Sequence, residues 1–221
     1  MTMKKIIIFS LFVFCNICVY SQARKYSTYY YQRTALFEQL TVTSDDILFV
    51  GNSITDGGEW HELFDNPNVK NRGISGDTTH GVYDRISTLL KGHPKKLFLM
   101  IGINNLPNGD SADEIASGIR NIVDKIKKES PSTKVYLQSI LPVNPDLKMF
   151  DGHTSKWRMI PDINIAIKMA AKSEGVKYID LYSHFVDNEG KMNVKYTNDG
   201  LHLLGQGYLL WRDIVKPFVN E

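Results

Sequence analysis

The chain has 221 residues, of which 43% are hydrophobic and 23% charged, and it carries a net charge of +2. These proportions are ordinary for a soluble globular protein, and so small a charge, with no clustered basic run, gives no footprint for a nucleic-acid partner. Once a leader is set aside, about 200 residues remain, enough for one domain with a sizeable core.

Residues 1–21 read as a secretory signal. Lys4 and Lys5 precede an apolar run from Ile6 to Val19, and the small Ser21 follows. The run falls short of the ~20 residues that span a bilayer. The expectation is cleavage, a mature domain over 22–221 without stable membrane insertion, and a periplasmic or extracellular location. Both cysteines, Cys15 and Cys18, lie inside the leader as apolar filler. Their C-x-x-C spacing therefore carries no redox or metal meaning, and the mature chain has no thiol.

A tyrosine-rich stretch follows, and the spacing from Tyr29 through Arg33, Leu36, Phe37 and Leu40 predicts a helix packed on the domain. Ile47 to Val50 is an apolar run that stops at Gly51, and Ser53 sits two residues further on in a turn. Thr55 to Phe64 is expected to form a short helix whose N-terminal dipole favours negative charge near the serine. Val69 to Arg72 reads as a second strand, followed by the turn Gly73-Ile74-Ser75-Gly76-Asp77-Thr78-Thr79. A helix then runs to Leu90, capped by Asp77 or Thr78.

Lys96 to Ile101 is the most apolar run of the mature chain and predicts a central parallel strand. It ends in Gly102-Ile103-Asn104-Asn105, a third polar turn. Ser111 and Glu114 have the spacing of a capping box, and an amphipathic helix follows with Ile115, Ile119, Ile122, Val123 and Ile126 on one face. Lys134 to Leu141 is the next strand. A long loop, Pro142 to Trp157, carries Phe150, His153 and Trp157, and loops of this length often carry function. Pro161 opens another helix, Val176 to Leu181 is the last strand, and a closing helix begins at Gly205. Strands that alternate with helices imply right-handed crossovers and a mostly parallel sheet of about five strands, covered on both faces.

Open parallel sheets bind ligands outside the carboxyl ends of their strands, and the turns holding Ser53, Gly76 and Asn104 all follow strands. A serine attacks a carbonyl only when a base takes its proton. Asp199 and His202, three apart in a glycine-containing loop, have the pattern of a carboxylate that fixes an imidazole's tautomer. The N–H groups of Ser53 and Gly76 and the Asn104 amide are candidate donors to a tetrahedral oxyanion.

These residues resemble the SGNH, or GDSL-type, hydrolases, a family named for Ser, Gly, Asn and His in four blocks. Gly51-Asn52-Ser53-Ile54-Thr55 is similar to the first block, Gly73 to Thr78 to the second, Gly102 to Asn105 to the third, and Asp199-Gly200-Leu201-His202 to the last. The blocks span about residues 46 to 216, in order. The resemblance implies a three-layer α/β/α flavodoxin-like fold and serine carboxylic-ester hydrolase chemistry without a metal. It assigns Ser53, His202 and Asp199 as the catalytic residues and Ser53, Gly76 and Asn104 as the oxyanion hole. Asn52 and Asn105 stand where the family often has aspartate, and Ile54 where it has leucine. The two asparagines are similar to the acetylhydrolase and carbohydrate-esterase branches, and they join Trp60, Phe150, His153 and Trp157 as candidates for substrate contact.

Several other chemistries find no support. Thr55 and the early position of the serine do not fit the G-x-S-x-G elbow of α/β-hydrolases. His61, His80, His93, His153 and His184 have no metal-ligand spacing. No phosphate or dinucleotide fingerprint is present, so no cofactor is expected. The expected substrate is a small-molecule or carbohydrate ester, with short acyl groups, acetyl above all, as the leading choice. The rivals are a lipid acylhydrolase of the same fold and a carbohydrate-binding protein that has lost turnover.

Overall fold

The computed structural model describes residues 25–221. The expected leader, with Cys15 and Cys18, lies outside the described residues. In chain order the elements are α1 (Thr28–Gln39), β1 (Ile47–Gly51), α2 (Ser53–Asp56), α3 (Trp60–Leu63), β2 (Val69–Gly73), α4 (Thr79–Leu90) and β3 (Lys96–Met100). They continue with α5 (Ala112–Glu129), β4 (Lys134–Gln138), α6 (Asp151–Thr154), α7 (Ile160–Ser173), β5 (Lys177–Ile179), α8 (Tyr182–Phe185) and α9 (Gly205–Asn220). Short 3-10 turns cover Ile103–Asn108, Pro145–Leu147 and Trp157–Met159.

Five strands form one sheet in the order β2-β1-β3-β4-β5, and every pairing is parallel. The expected α/β architecture is therefore present. β1 and β3 are buried along their whole length, which is why they read as continuous apolar runs and not as alternating ones. Helices α4, α5 and α7 pack side by side on one face. On the other face, Phe49, Phe98 and Tyr136 are in register across β1, β3 and β4. Their rings stack at 4.9 and 4.5 Å. Trp60 of α3 lies on Phe49 at 4.1 Å, and Trp211 of α9 meets Trp60 edge-on at 4.7 Å. Contacts of this kind add roughly 0.5–1.5 kcal/mol each beyond area burial.

Local signals account for the ends of several helices. The capping box of α5 forms, with Ser111 and Glu114 each bonding the other's backbone N–H. Thr78 caps α4, while Asp77 has turned inward to another partner. The helix expected over 55–64 forms as two short pieces separated at Gly57 and Gly58, and the first begins at Ser53 itself. β4 stops at Gln138, short of the expected Leu141. Its neighbour β5 is only three residues long, and beyond it Asn164 takes over the strand's role. The Asn164 side chain accepts from the Ile140 N–H at 2.8 Å and donates to the Ile140 carbonyl at 2.9 Å.

Gly73 sets the distance between β2 and the serine turn. A Cβ at this position would stand 2.2 Å from the Asp56 nitrogen and 2.7 Å from the Thr55 carbonyl carbon. These are backbone atoms that cannot swing aside. Gly73→Ala is expected to lower unfolding free energy by about 1–3 kcal/mol, as measured by urea denaturation. It should also lower activity, because α2 must shift.

Candidate active site

Ser53 is the first residue of α2, directly after the carboxyl end of β1. The first N–H groups of a helix have no intrahelical partner, and the Ser53 N–H is one of them. Asn52 shapes this turn from within. It is buried, and its Oδ1 accepts from the Ile54 N–H at 3.0 Å as the cap of α2. Asn52 is thus a turn-forming residue and not the substrate contact expected of it.

His202 reaches the serine from the loop before α9. Its Nε2 lies 3.1 Å from Ser53 Oγ, and its Nδ1 lies 2.7 Å from Asp199 Oδ2. Because a carboxylate oxygen only accepts, Nδ1 carries the proton. In the neutral ring Nε2 is therefore the acceptor for the serine hydroxyl. The other carboxylate oxygen, Oδ1, accepts from the N–H groups of Leu201 and His202 at 2.8 and 2.7 Å. Burial by itself would raise the Asp199 pKa. The two backbone N–H groups and the His202 ring outweigh it and hold the carboxyl below the usual carboxylate range. The loop is anchored by the Asn144 N–H, which donates to the Gly200 carbonyl at 2.8 Å.

The second turn is tied to the first. The Ile74 N–H donates to the Gly51 carbonyl at 3.1 Å, and Ser75 Oγ donates to Asp56 Oδ2 at 3.1 Å. Gly76 is exposed, with φ +80 and no atom within 4 Å of where its Cβ would stand. The positive φ suits glycine. The third turn joins the second through Asn104, whose Nδ2 donates to the Asp77 carbonyl at 2.9 Å. Asn104 Oδ1 accepts from His153 Nε2 at 3.0 Å.

His153 was expected to touch substrate. Its ring nitrogen is instead engaged with Asn104, and the residue is half-buried. Burial first, and the nearby His202 second, hold its imidazole below its ordinary value. The ring is therefore neutral at pH 7, with its proton on Nε2. Phe150 stands at the mouth, 43% exposed, with its ring edge-on to His202 at 5.0 Å.

Three other expected contacts point elsewhere. Asn105 is buried. It accepts from the Thr79 N–H at 3.2 Å and donates to Thr79 Oγ1 and Asp110 Oδ2. It therefore holds the start of α4, not a ligand. Trp60 is fully buried and donates from Nε1 to the Thr55 carbonyl at 2.8 Å, which makes it a core residue. Trp157 is engaged by the cations of Arg158 and Lys191, 4.3 and 5.7 Å from its ring centroid.

One pair was not anticipated. Arg85 of α4 donates from Nε to Asp77 Oδ2 at 2.7 Å and from Nη2 to the Gly51 carbonyl at 3.2 Å. A basic residue eight positions after an aspartate in a turn is the only trace of it in the sequence.

Residues 49–210 match the GDSL-like Lipase/Acylhydrolase family. This chain belongs to that family. It is an ester hydrolase of the SGNH fold. Among relatives of this GDSL acylhydrolase is the platelet-activating factor acetylhydrolase IB subunit alpha2 of Rattus norvegicus, 31% identical over 178 residues, which cover 78% of this chain and 73% of the relative. A GDSL-like lipase from Bacteroides thetaiotaomicron superposes with a TM-score of 0.73 at 23% identity, covering 86% of this chain and 97% of that one. A mutant acetylxylan esterase from Geobacillus stearothermophilus superposes at 0.64 with 18% identity, covering 81% and 95%.

The Asp199 environment has a measurable consequence. In an NMR titration its carboxyl is expected below the roughly 3.9 of a free aspartate. A depressed folded-state value stabilises the fold. That contribution is complete above the unfolded-state pKa and is lost as pH falls through the folded-state one. The stability gap between the wild type and Asp199→Asn should close over that acid window.

Proposed function

We propose that this hydrolase removes short acyl groups, acetyl above all, from carbohydrate hydroxyls, with Ser53, His202 and Asp199 as its catalytic residues. The observation that carries the mechanism is the line Ser53 Oγ–His202–Asp199, at 3.1 and 2.7 Å. The acetyl preference is supported by the acetylhydrolase relative at 31% identity. The leader read in residues 1–21 supports an exported enzyme, a location where carbohydrate esters are met.

In this mechanism Ser53 Oγ attacks the ester carbonyl carbon while its proton passes to His202 Nε2. Asp199 stabilises the imidazolium that results. The carbonyl oxygen becomes an oxyanion and accepts from the N–H groups of Ser53 and Gly76 and from the free N–H of Asn104. The tetrahedral adduct collapses, His202 gives its proton to the departing alkoxide, and an acyl group remains on Ser53. Water then attacks that acyl group as His202 takes its proton, and in the second collapse the bond to Ser53 Oγ breaks, His202 returns that proton to Oγ, and the acid leaves, ionising to acetate.

A second reading is an ester with a long acyl chain, as in a lipid. A cleft of about 590 Å³ favours it, lined by Gly57, Leu63, Leu204, Tyr208 and Leu209 among others. The cleft begins just past α2 and two residues past His202, and its wall is mostly apolar.

Acyl chain-length profiling separates the two. The highest kcat/KM is expected on acetyl esters, and a preference for chains of about eight carbons or more would overturn the acetyl assignment in favour of the apolar cleft. Ser53→Ala is expected to abolish acetate release and labelling by a serine-directed phosphonate. Glycan binding by a wild-type protein that a phosphonate never labels would instead mark a binding module. Asn104→Ala is expected to lower kcat by roughly 10²–10³-fold, the usual loss for one oxyanion donor.

A further inference from the structure

The Asn104 amide is held from both ends. Its Nδ2 gives one hydrogen to the Asp77 carbonyl at 2.9 Å, and its Oδ1 accepts from His153 Nε2 at 3.0 Å. A carbonyl oxygen can only accept, so Asp77 decides which end of the amide is nitrogen. That single bond is a hinge, about which the plane of the amide can still swing. The His153 bond at the opposite end closes the hinge into a two-point clamp. One N–H of Nδ2 is left over, and the clamp sets its direction.

His153 is itself firmly placed. It sits in α6, which begins directly after Phe150. Phe150 has φ 51, a left-handed conformation for a bulky residue, and such strain persists only where the surroundings over-determine it. The His153 N–H donates to the Phe150 carbonyl at 2.8 Å. Thr154 is buried and donates from Oγ1 to the Met149 carbonyl at 2.9 Å. Gly152 lies against Pro107 of the Asn104 turn, close enough that a Cβ there would stand 3.6 Å from the proline ring. The strained bend before α6 thus delivers the imidazole to the back of the amide, and only Phe150 faces the mouth.

We propose that His153 is a positioning residue for the oxyanion hole, its ring N–H holding the Asn104 amide so that the remaining amide N–H meets the oxygen that develops negative charge. This rests on the esterase reading above, in which Asn104 is an oxyanion donor. Donation into Oδ1 also polarises the amide and strengthens its N–H as a donor, because linked hydrogen bonds reinforce one another. His153 touches neither the reacting atoms nor the leaving group. Its effect belongs to the transition state and not to ground-state binding, since the clamped N–H has its full value only once the oxyanion forms.

The test is steady-state kinetics of the purified protein on p-nitrophenyl acetate, with four variants. His153→Phe keeps the ring volume without the donor, and His153→Gln restores an amide donor of similar reach. Asn104→Ala and the double variant His153→Phe/Asn104→Ala complete a cycle. His153→Phe is expected to lower kcat by about tenfold with KM within about twofold, the signature of a contact made only in the transition state. His153→Gln should recover most of that loss. In the Asn104→Ala background His153→Phe should change kcat by less than about twofold, because the two residues act as a unit. Wild-type kcat in His153→Phe would overturn the proposal. So would a KM rise at unchanged kcat, a His153→Gln no better than His153→Phe, or the full loss persisting without Asn104. Wild-type activity in Asn104→Ala or Ser53→Ala would defeat the proposed catalytic assignment itself, whereas a deficient Asn104→Ala beside an unaffected His153→Phe defeats only the role given to His153.

Discussion

Beneath the three strand ends, the Arg85 guanidinium donates to Asp77 Oδ2 at 2.7 Å and to the Gly51 carbonyl at 3.2 Å. Both side chains are almost dry, 3% and 0% exposed. A buried ion pair is weak evidence for stability, because desolvation offsets much of its attraction, but removing one partner typically costs about 3–5 kcal/mol. What this pair contributes is registration. Gly51 ends the strand that carries Ser53. Asp77 belongs to the turn that carries Gly76, and its own carbonyl takes the Asn104 amide. A single cation thus fixes the spacing among all three turns, and His153 extends the chain of contacts to the loop beyond.

The sheet explains why such a device is affordable only at this edge. Along β1 and β3 the backbone groups are consumed by parallel pairing and the side chains by the helices on one face and the aromatic stack on the other. At the carboxyl ends the pairing stops, and polar groups need other partners. The turns satisfy them with each other. The Ser53 N–H, at the first position of α2, and one N–H of Asn104 are left without such partners, and His202 reaches the same strand end through Ser53 Oγ. In the proposed mechanism this is where an ester oxygen gains charge.

Ser53, Asp199 and His202 were legible because their chemistry needs particular residue types at strand ends and in one loop, and topology then brings them together. The strands of the centre were legible because burial on both faces leaves apolar runs. Direction is what the sequence hides. Asn52, Asn105 and Trp60 stand beside catalytic blocks, yet each side chain turns inward, to cap a helix or fill the core. Sequence position says which residues neighbour the site along the chain, but not which way a peptide is rotated. His153 shows the converse. It lies 49 positions from Asn104 in α6, a single turn of helix too short for periodicity to predict which face meets what. Strand β4 ended early for a similar reason, since the substitute partner of Ile140 was the side chain of Asn164 on a distant helix.

Asp56 sits one turn of α2 beyond Ser53, where an unmatched negative charge would oppose the oxyanion of the proposed mechanism. It is answered from outside the sheet. Tyr29 of α1 donates to it at 2.8 Å, and Arg33 of the same helix places a cation 3.8 Å away. Helix α1 therefore acts electrostatically on the turn that carries Ser53, although it contributes none of the four blocks. Removing α1 through Arg33 would strip Asp56 of both these partners and leave it only the hydroxyl of Ser75.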